Sequence, residues 1–324
     1  MLLRVTHETV YDYAPTVKSA QHMAHLRPAQ TPHQRLLRHA LTVTPTPAQL
    51  DETVDIYGNT RAFFGLQSAH ETLRVLADSL VATAARSAPV HALPWEDARE
   101  RMRYHRMAAW DAATEFAFAS PYVPRHEDFA DYARPSFRAG RPLLEAASEL
   151  MSRIHSDFEY EADATDANTP ALQALSLRKG VCQDFAHVML GCLRSLGLAA
   201  RYVSGYLLTE PPPGKTRLVG SDASHAWVSL YLPGQERGES GAWTDLDPTN
   251  DRAPGEDYVI VATGRDYADV SPVRGVIHGG ANHTLRVAVT VAPVSSEADF
   301  ADPPHRINTA LPAPTGALDR KTKP

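Results

Sequence analysis

Apolar and polar positions alternate in short, β-branched stretches from Leu2 to about Ala85: Val5–Tyr13, Leu37–Val43, Val54–Tyr57, Arg61–Leu66 and Leu73–Val81 each predict a strand. Tyr57-Gly58-Asn59-Thr60 carries a tight-turn signal between two of them and predicts a hairpin. Short strands at this spacing predict a β-sandwich-like domain over residues 1–85. Residues 86–140, rich in Ala, Pro and Arg, place Trp95, Trp110, Phe116, Phe118 and Tyr122 at no clean period. They read as a connecting region of short helices packed across two domains. From Pro142 the period turns helical, with Leu143, Leu144, Ala147, Leu150, Met151 and Ile154 on one stripe. Thr169-Pro170 then has the form of an N-cap with proline at the first helical position.

The pattern is sharpest after Gly180. Phe185, Val188, Met189, Cys192, Leu193 and Leu196 recur at helical spacing, and their stripe extends back to Cys182. Residues 225–232 alternate as a strand, with His225, Trp227, Ser229 and Tyr231 on one face and Ala226, Val228, Leu230 and Leu232 on the other. The segment Thr209–Thr216 ahead of it, with three consecutive prolines, reads as an exposed hairpin connection. A glycine-containing turn from Gly234 to Gly241 leads into a second, hairpin-paired strand that ends at Asp247-Pro248. Leu285–Val291 alternates as a last strand, and the proline-rich tail 294–324 is expected to be disordered. The expected fold class is therefore α+β: a β-rich domain over 1–85, a connecting region over 86–140, and helices against an antiparallel sheet over 141–293.

Composition narrows the setting. The chain has 324 residues, 43% of them hydrophobic, with 32 Lys+Arg against 38 Asp+Glu. That is the profile of a globular protein large enough for about two domains. A net charge of −6 offers no general attraction to phosphates, so neither nucleic acid nor an anionic membrane is an expected partner. No apolar run is long enough to span a bilayer, and Arg4, His7 and Glu8 interrupt the N-terminus too early for a signal peptide. Cytoplasmic residence is the expectation. The two cysteines, Cys182 and Cys192, lie about 15 Å apart along one predicted helix, beyond disulfide reach, and are expected to be free thiols.

Cys182 falls in the first turn of that helix, where unpaired N–H groups and the positive end of the dipole favour a thiolate and can bind a developing oxyanion. Cys192 lies deeper on the apolar stripe and reads as an inert core thiol. A nucleophilic thiol needs a base. His187 is five residues on, turned about 140° away from Cys182, and is a poor candidate. His225, at the start of its strand, is a better one, with a strand histidine bonded to backbone as the competing reading. On the adjacent strand Asp247 can accept the second ring N–H of His225 and stabilise an imidazolium. Asp245 points to the same face, and an Asp-Pro turn cap accounts equally well for Asp247. Asp184 complements the helix dipole; placed beside the thiol it would oppose thiolate formation. Gln183 follows the thiol directly. Arg201, Gly205 and Tyr206 lead from the helix into a strand, with Tyr206 lining either the cleft or the core. His22 and His25 lack a third ligand and read as solvated or hydrogen-bonded histidines. No acidic cluster suggests calcium, so neither a metal nor a cofactor is expected.

Four separated segments carry a resemblance. Gly180-Val181-Cys182-Gln183-Asp184-Phe185-Ala186, Leu196–Tyr206, Ser224-His225-Ala226-Trp227-Val228 and Leu246-Asp247-Pro248-Thr249 resemble the core of the transglutaminase-like superfamily. That superfamily is similar to papain in its cysteine at a helix start followed by His and Asp on neighbouring strands. Leu3–Tyr13 with Leu26-Arg27-Pro28 is similar to the N-terminal domain of bacterial transglutaminase-like proteins, and Gly264–Val270 matches a segment usual after their core. The resemblance covers about 1–293. It implies a papain-like catalytic domain with Cys182 as nucleophile, His225 as general base and acid, and Asp247, not Asp245, as the orienting carboxylate. It implies a cysteine protease or amidase acting on peptide or protein amides, with cross-linking transglutaminase activity as the alternative. A non-catalytic peptide-binding scaffold is the reading from another class.

Overall fold

The chain opens with five strands: β1 (Leu2–Ala24), β2 (Gln34–Thr44), β3 (Gln49–Val54), β4 (Thr60–Leu66) and β5 (His70–Thr83). Helix α1 (Trp95–Arg101), a 3-10 turn at Ala112–Ala117 and α2 (Glu127–Ala133) follow. Next come α3 (Leu143–Asp157), the two-residue β6 (Glu159–Tyr160), α4 (Ala171–Leu177), the two-residue β7 (Lys179–Gly180) and α5 (Cys182–Ser195). The order closes with β8 (Ala200–Leu207), β9 (Ser224–Leu232), β10 (Ala242–Leu246), β11 (Tyr258–Gly264), α6 (Tyr267–Val270), β12 (Val273–Gly279) and β13 (Asn282–Pro293). This computed structural model describes residues 1–103, 110–209, 224–235, 240–280 and 282–297. Most of the connection at Thr209–Thr216, the middle of the Gly234–Gly241 turn and the tail from residue 298 lie outside the described residues.

The 23 residues of β1 organise the first sheet. The first half of β1 pairs antiparallel with β5 on one side and β13 on the other; its second half pairs with β4 and β12. With β2 on β5 and β3 on β4, seven strands form one curled sheet, a half-barrel, where the sequence predicts a sandwich-like arrangement. A strand this long cannot stay flat, because right-handed twist accumulates along it. The last two strands, expected with the 141–293 region, return to the N-terminal sheet. Val289 and Val291 thereby join Leu3, Val5 and Val81 in the same buried cluster as Leu150, Phe185 and Met189. The two halves of the chain thus share a core.

The second sheet, in the order β10-β9-β8-β11, is antiparallel throughout. Its alternation is the one the sequence predicts. Ala226, Val228, Leu230 and Leu232 face the core shared with α5, whereas Trp227 packs with Val203, Tyr258 and Ile260 on the opposite face. Gly205 permits that second packing, since a Cβ there would sit 2.1 Å from Val259 O and 2.5 Å from the Trp227 ring. Helix α5 is buried along nearly its whole length, with α2 laid against it so that Phe129 covers Gly191. At about 1.5–3 kcal/mol for each large apolar side chain fully buried, Phe185, Val188, Met189 and Leu190 anchor the helix firmly. Its N-terminus is thereby held at one end of the second sheet. Among the described residues no helix is long and apolar enough to cross a membrane.

Candidate active site

The start of α5 is shaped by Gly180 and Asp184. Gly180 has φ +154°, and a Cβ there would meet Asp184 Oδ2 at 2.4 Å, so glycine is required on both counts. The Asp184 carboxylate uses that space to accept the Val181 N–H at 2.9 Å and the Thr165 hydroxyl at 2.6 Å. This is the reach-back half of a capping box. Burial raises the Asp184 pKa against the pull of these two hydrogen bonds. Val181 O accepts from Asp184 N and Phe185 N at 2.9 and 3.1 Å. The first-turn N–H groups of Cys182 and Gln183 have no acceptor among the described residues. Cys182 is partly exposed, and its Sγ lies 4.0 Å from Ser224 O, the first residue of β9.

His225, next along β9, is buried at 9% exposure. Its Nε2 donates to Asp247 Oδ2 at 2.7 Å, and the ring is near enough to Cys182 for the sulfur to raise its pKa. With Nε2 committed to the carboxylate, Nδ1 is the nitrogen left for the thiol. Burial disfavours the charged ring, but the hydrogen bonds and charges of Asp247 and Cys182 outweigh it and raise the pKa from 6.5 to about 10. His225 is held as an imidazolium.

The two oxygens of Asp247 divide the work. Oδ1 accepts the backbone N–H groups of Thr249 at 2.9 Å and Asn250 at 3.3 Å, capping the Asp-Pro turn. Oδ2 accepts from His225, from Asn250 Nδ2 at 2.7 Å and from the Tyr258 hydroxyl at 2.7 Å. The turn cap and the imidazole contact, which compete in the sequence, coexist on one carboxylate. Burial pushes its pKa up, yet His225, Asn250 and Tyr258 together hold it below the usual range. Asp245 is occupied elsewhere, in an ion pair with Arg86.

The remaining candidates lie apart from this cluster. His187 is fully buried, stacks on Tyr122 with ring centroids 5.6 Å apart, and accepts the Tyr267 N–H on Nε2 at 3.2 Å. Burial, reinforced by Arg194, holds its pKa down to about 3. Cys192 is fully buried and burial pushes its thiol up, so it stays protonated. Gln183 donates to Ala167 O at 3.1 Å. Tyr206 pairs with Ser224 through the backbone, but its ring turns inward and its hydroxyl meets His7 Nδ1 at 2.9 Å. Arg201 lies over the Trp243 ring at 4.2 Å. His22 and His25 are buried, not solvated. His22 stacks on Phe64 with ring centroids 5.2 Å apart, and His25 faces Ser271 O at 3.3 Å and Asp55 at 3.7 Å. Sequence reasoning misses Asn250 and Tyr258. Asn250 is legible only as the third residue beyond an Asp that caps a turn, and Tyr258 reaches Asp247 from a strand whose register no local pattern reveals.

Comparison with known proteins agrees with this architecture. Residues 3–82 match the bacterial transglutaminase-like N-terminal region, and residues 130–248 match the transglutaminase-like superfamily core. An uncharacterized protein of Mycobacterium tuberculosis is 40% identical over 301 residues, covering 91% of this chain and 94% of its own. A protein-glutamine gamma-glutamyltransferase of Pseudomonas aeruginosa is 29% identical over 171 residues, 48% of this chain and 24% of that one. The crystal structure of a candidate cysteine protease from Cytophaga hutchinsonii superposes with a TM-score of 0.68 at 20% identity, covering 92% of both chains. The chain therefore belongs to the transglutaminase-like superfamily and carries the bacterial N-terminal region ahead of its core.

Proposed function

We propose that this protein is a cysteine-dependent amide hydrolase acting on peptides or proteins. The observation that carries the reading is the position of His225, which donates to the fully buried Asp247 carboxylate and directly follows Ser224, whose carbonyl lies 4.0 Å from the Cys182 sulfur. Superfamily membership supports the same kind of chemistry.

In the proposed reaction, Cys182 Sγ attacks the scissile carbonyl as a thiolate and forms the carbon–sulfur bond. The carbonyl π electrons move to oxygen, and the unpaired first-turn N–H of Cys182 stabilises that oxyanion. On collapse the carbon–nitrogen bond breaks, and the amine leaves with the proton from His225 Nδ1. A water molecule then gives its proton to His225 as its oxygen attacks the thioester, and collapse of that intermediate breaks the carbon–sulfur bond, releasing the acid and restoring the thiolate–imidazolium pair. Asp247 keeps its charge throughout and fixes the ring through Nε2. Cys182 is partly exposed, so water reaches the thioester without a second binding site.

A second reading keeps the same thioester and releases it to an amine. The similarity to the Pseudomonas aeruginosa protein-glutamine gamma-glutamyltransferase favours it. One experiment separates these readings: incubation of a peptide library with wild-type and Cys182→Ala protein, with and without an added primary amine, read by mass spectrometry. Hydrolysis gives shortened peptides, and transfer gives products heavier by the amine less ammonia. A library left unchanged by the wild type, or altered equally by the variant, refutes the enzyme reading and favours a peptide-binding scaffold.

A further inference from the structure

We propose that Tyr160 forms the wall of the cleft beside Cys182 on which an apolar substrate side chain stacks, selecting peptides with an aromatic or branched aliphatic residue next to the reacting carbonyl. The inference rests on the acyl-transfer reading of Cys182.

Tyr160 is 57% exposed, whereas Phe185, against which it packs, is 2% exposed. Its ring lies against Phe185, with centroids 6.4 Å apart and planes at 48°. Phe185 stands three residues after Cys182 on α5 and so shares its helix face. Tyr160 therefore covers the flank of the helix from which the sulfur projects. The backbone beneath the ring is fixed. Tyr160 is the register partner of Gly180, Glu159 N donates to Arg178 O at 2.9 Å, and Glu161 N donates to Gly180 O at 2.9 Å. The two flanking carboxylates share one cation, with Lys179 Nζ 3.1 Å from Glu159 and 2.8 Å from Glu161. The exposed aromatic face thus sits on a base held by backbone hydrogen bonds and by the shared Lys179 ion pairs. A flat apolar surface of this kind binds by contact area and ring stacking. The phenol also senses the sulfur electrostatically: its pKa is raised by burial and, next, by the Cys182 charge.

The test uses the full chain and two probes of one chemistry, iodoacetamide and N-phenyl iodoacetamide, which place nothing or an aromatic ring beside the same carbonyl. Alkylation of Cys182 is followed by mass spectrometry and normalised to the rate each probe shows with glutathione. Wild-type protein is expected to prefer the phenyl probe roughly three- to tenfold, an aromatic contact's usual magnitude. Tyr160→Phe should keep that preference, and Tyr160→Ala should lose it, both read as the ratio of the two normalised rates on the same protein so that a general change in Cys182 reactivity cancels. An equal phenyl preference in wild type and Tyr160→Ala, or none in wild type, overturns the assignment of Tyr160. Failure of the underlying reading looks different: Cys182 would then react with iodoacetamide no faster than glutathione does.

Discussion

Replacing Asp247 by asparagine removes one charge and almost no volume, so its consequences follow from the five hydrogen bonds the carboxylate accepts. An amide has one acceptor oxygen. Directed at His225, Asn250 Nδ2 and Tyr258, it turns its NH2 group on the backbone N–H groups of Thr249 and Asn250; reversed, it sets donors against donors on the histidine side. The Thr249 and Asn250 N–H groups are only partly buried, so at about 1 kcal/mol for each hydrogen bond lost the two together destabilise the fold by roughly 2 kcal/mol. The melting temperature should fall by about 5 °C. The second consequence is electrostatic. His225 has a pKa raised from 6.5 to about 10, so its contribution to stability is fully present below pH 6.5 and is lost as pH rises toward 10. The interval corresponds to a ceiling of about 5 kcal/mol. Asp247 acts in the opposite direction: its lowered pKa contributes stability above the normal carboxylate range that is lost in acid. In Asp247→Asn, burial of the ring remains while the carboxylate is gone, so His225 should titrate well below its wild-type value. Heteronuclear NMR of the imidazole nitrogens, with thermal melts from pH 5 to 10, reads both effects. A wild-type His225 that titrates near 6.5, or one whose titration the substitution does not move, would refute the reasoning.

Asp245→Asn should leave the iodoacetamide rate of Cys182 within about twofold while weakening only the contact with Arg86, as parallel labelling and melts of the two Asp→Asn variants will show. Tyr258→Phe removes one donor from Asp247 Oδ2 and should cost about 1 kcal/mol by chemical denaturation, with a several-fold slower Cys182 alkylation. Gly180→Ala places a methyl group where the Asp184 carboxylate sits, at a φ that L-residues rarely adopt, and should destabilise by at least about 2 kcal/mol in the same assay.

The legible parts of the molecule are those that depend on local period. Helix α5 and the two faces of β9 follow directly from apolar spacing, and a thiol at the first helical turn follows from Gly180 and the stripe behind Cys182. What a period of two cannot do is separate Asp245 from Asp247, which share a face. That distinction comes from Arg86, remote in sequence, and from the turn at Pro248 that fixes both oxygens of Asp247. Strand pairing is hidden for the same reason. The alternation at Leu285–Val291 marks a strand but not its partner, β1, at the other end of the chain. β12 is mostly exposed and has no apolar period to announce it. Tyr258 becomes part of the site only through the register of β11 on β8.

The central claim is that His225 activates Cys182, and the measurement that tests it most directly is site-resolved alkylation by iodoacetamide at pH 7 in wild-type and His225→Ala protein. The wild type should label at Cys182 at least about tenfold faster than the variant, with Cys192 unlabelled in both. Equal rates at Cys182 in the two proteins would contradict the account.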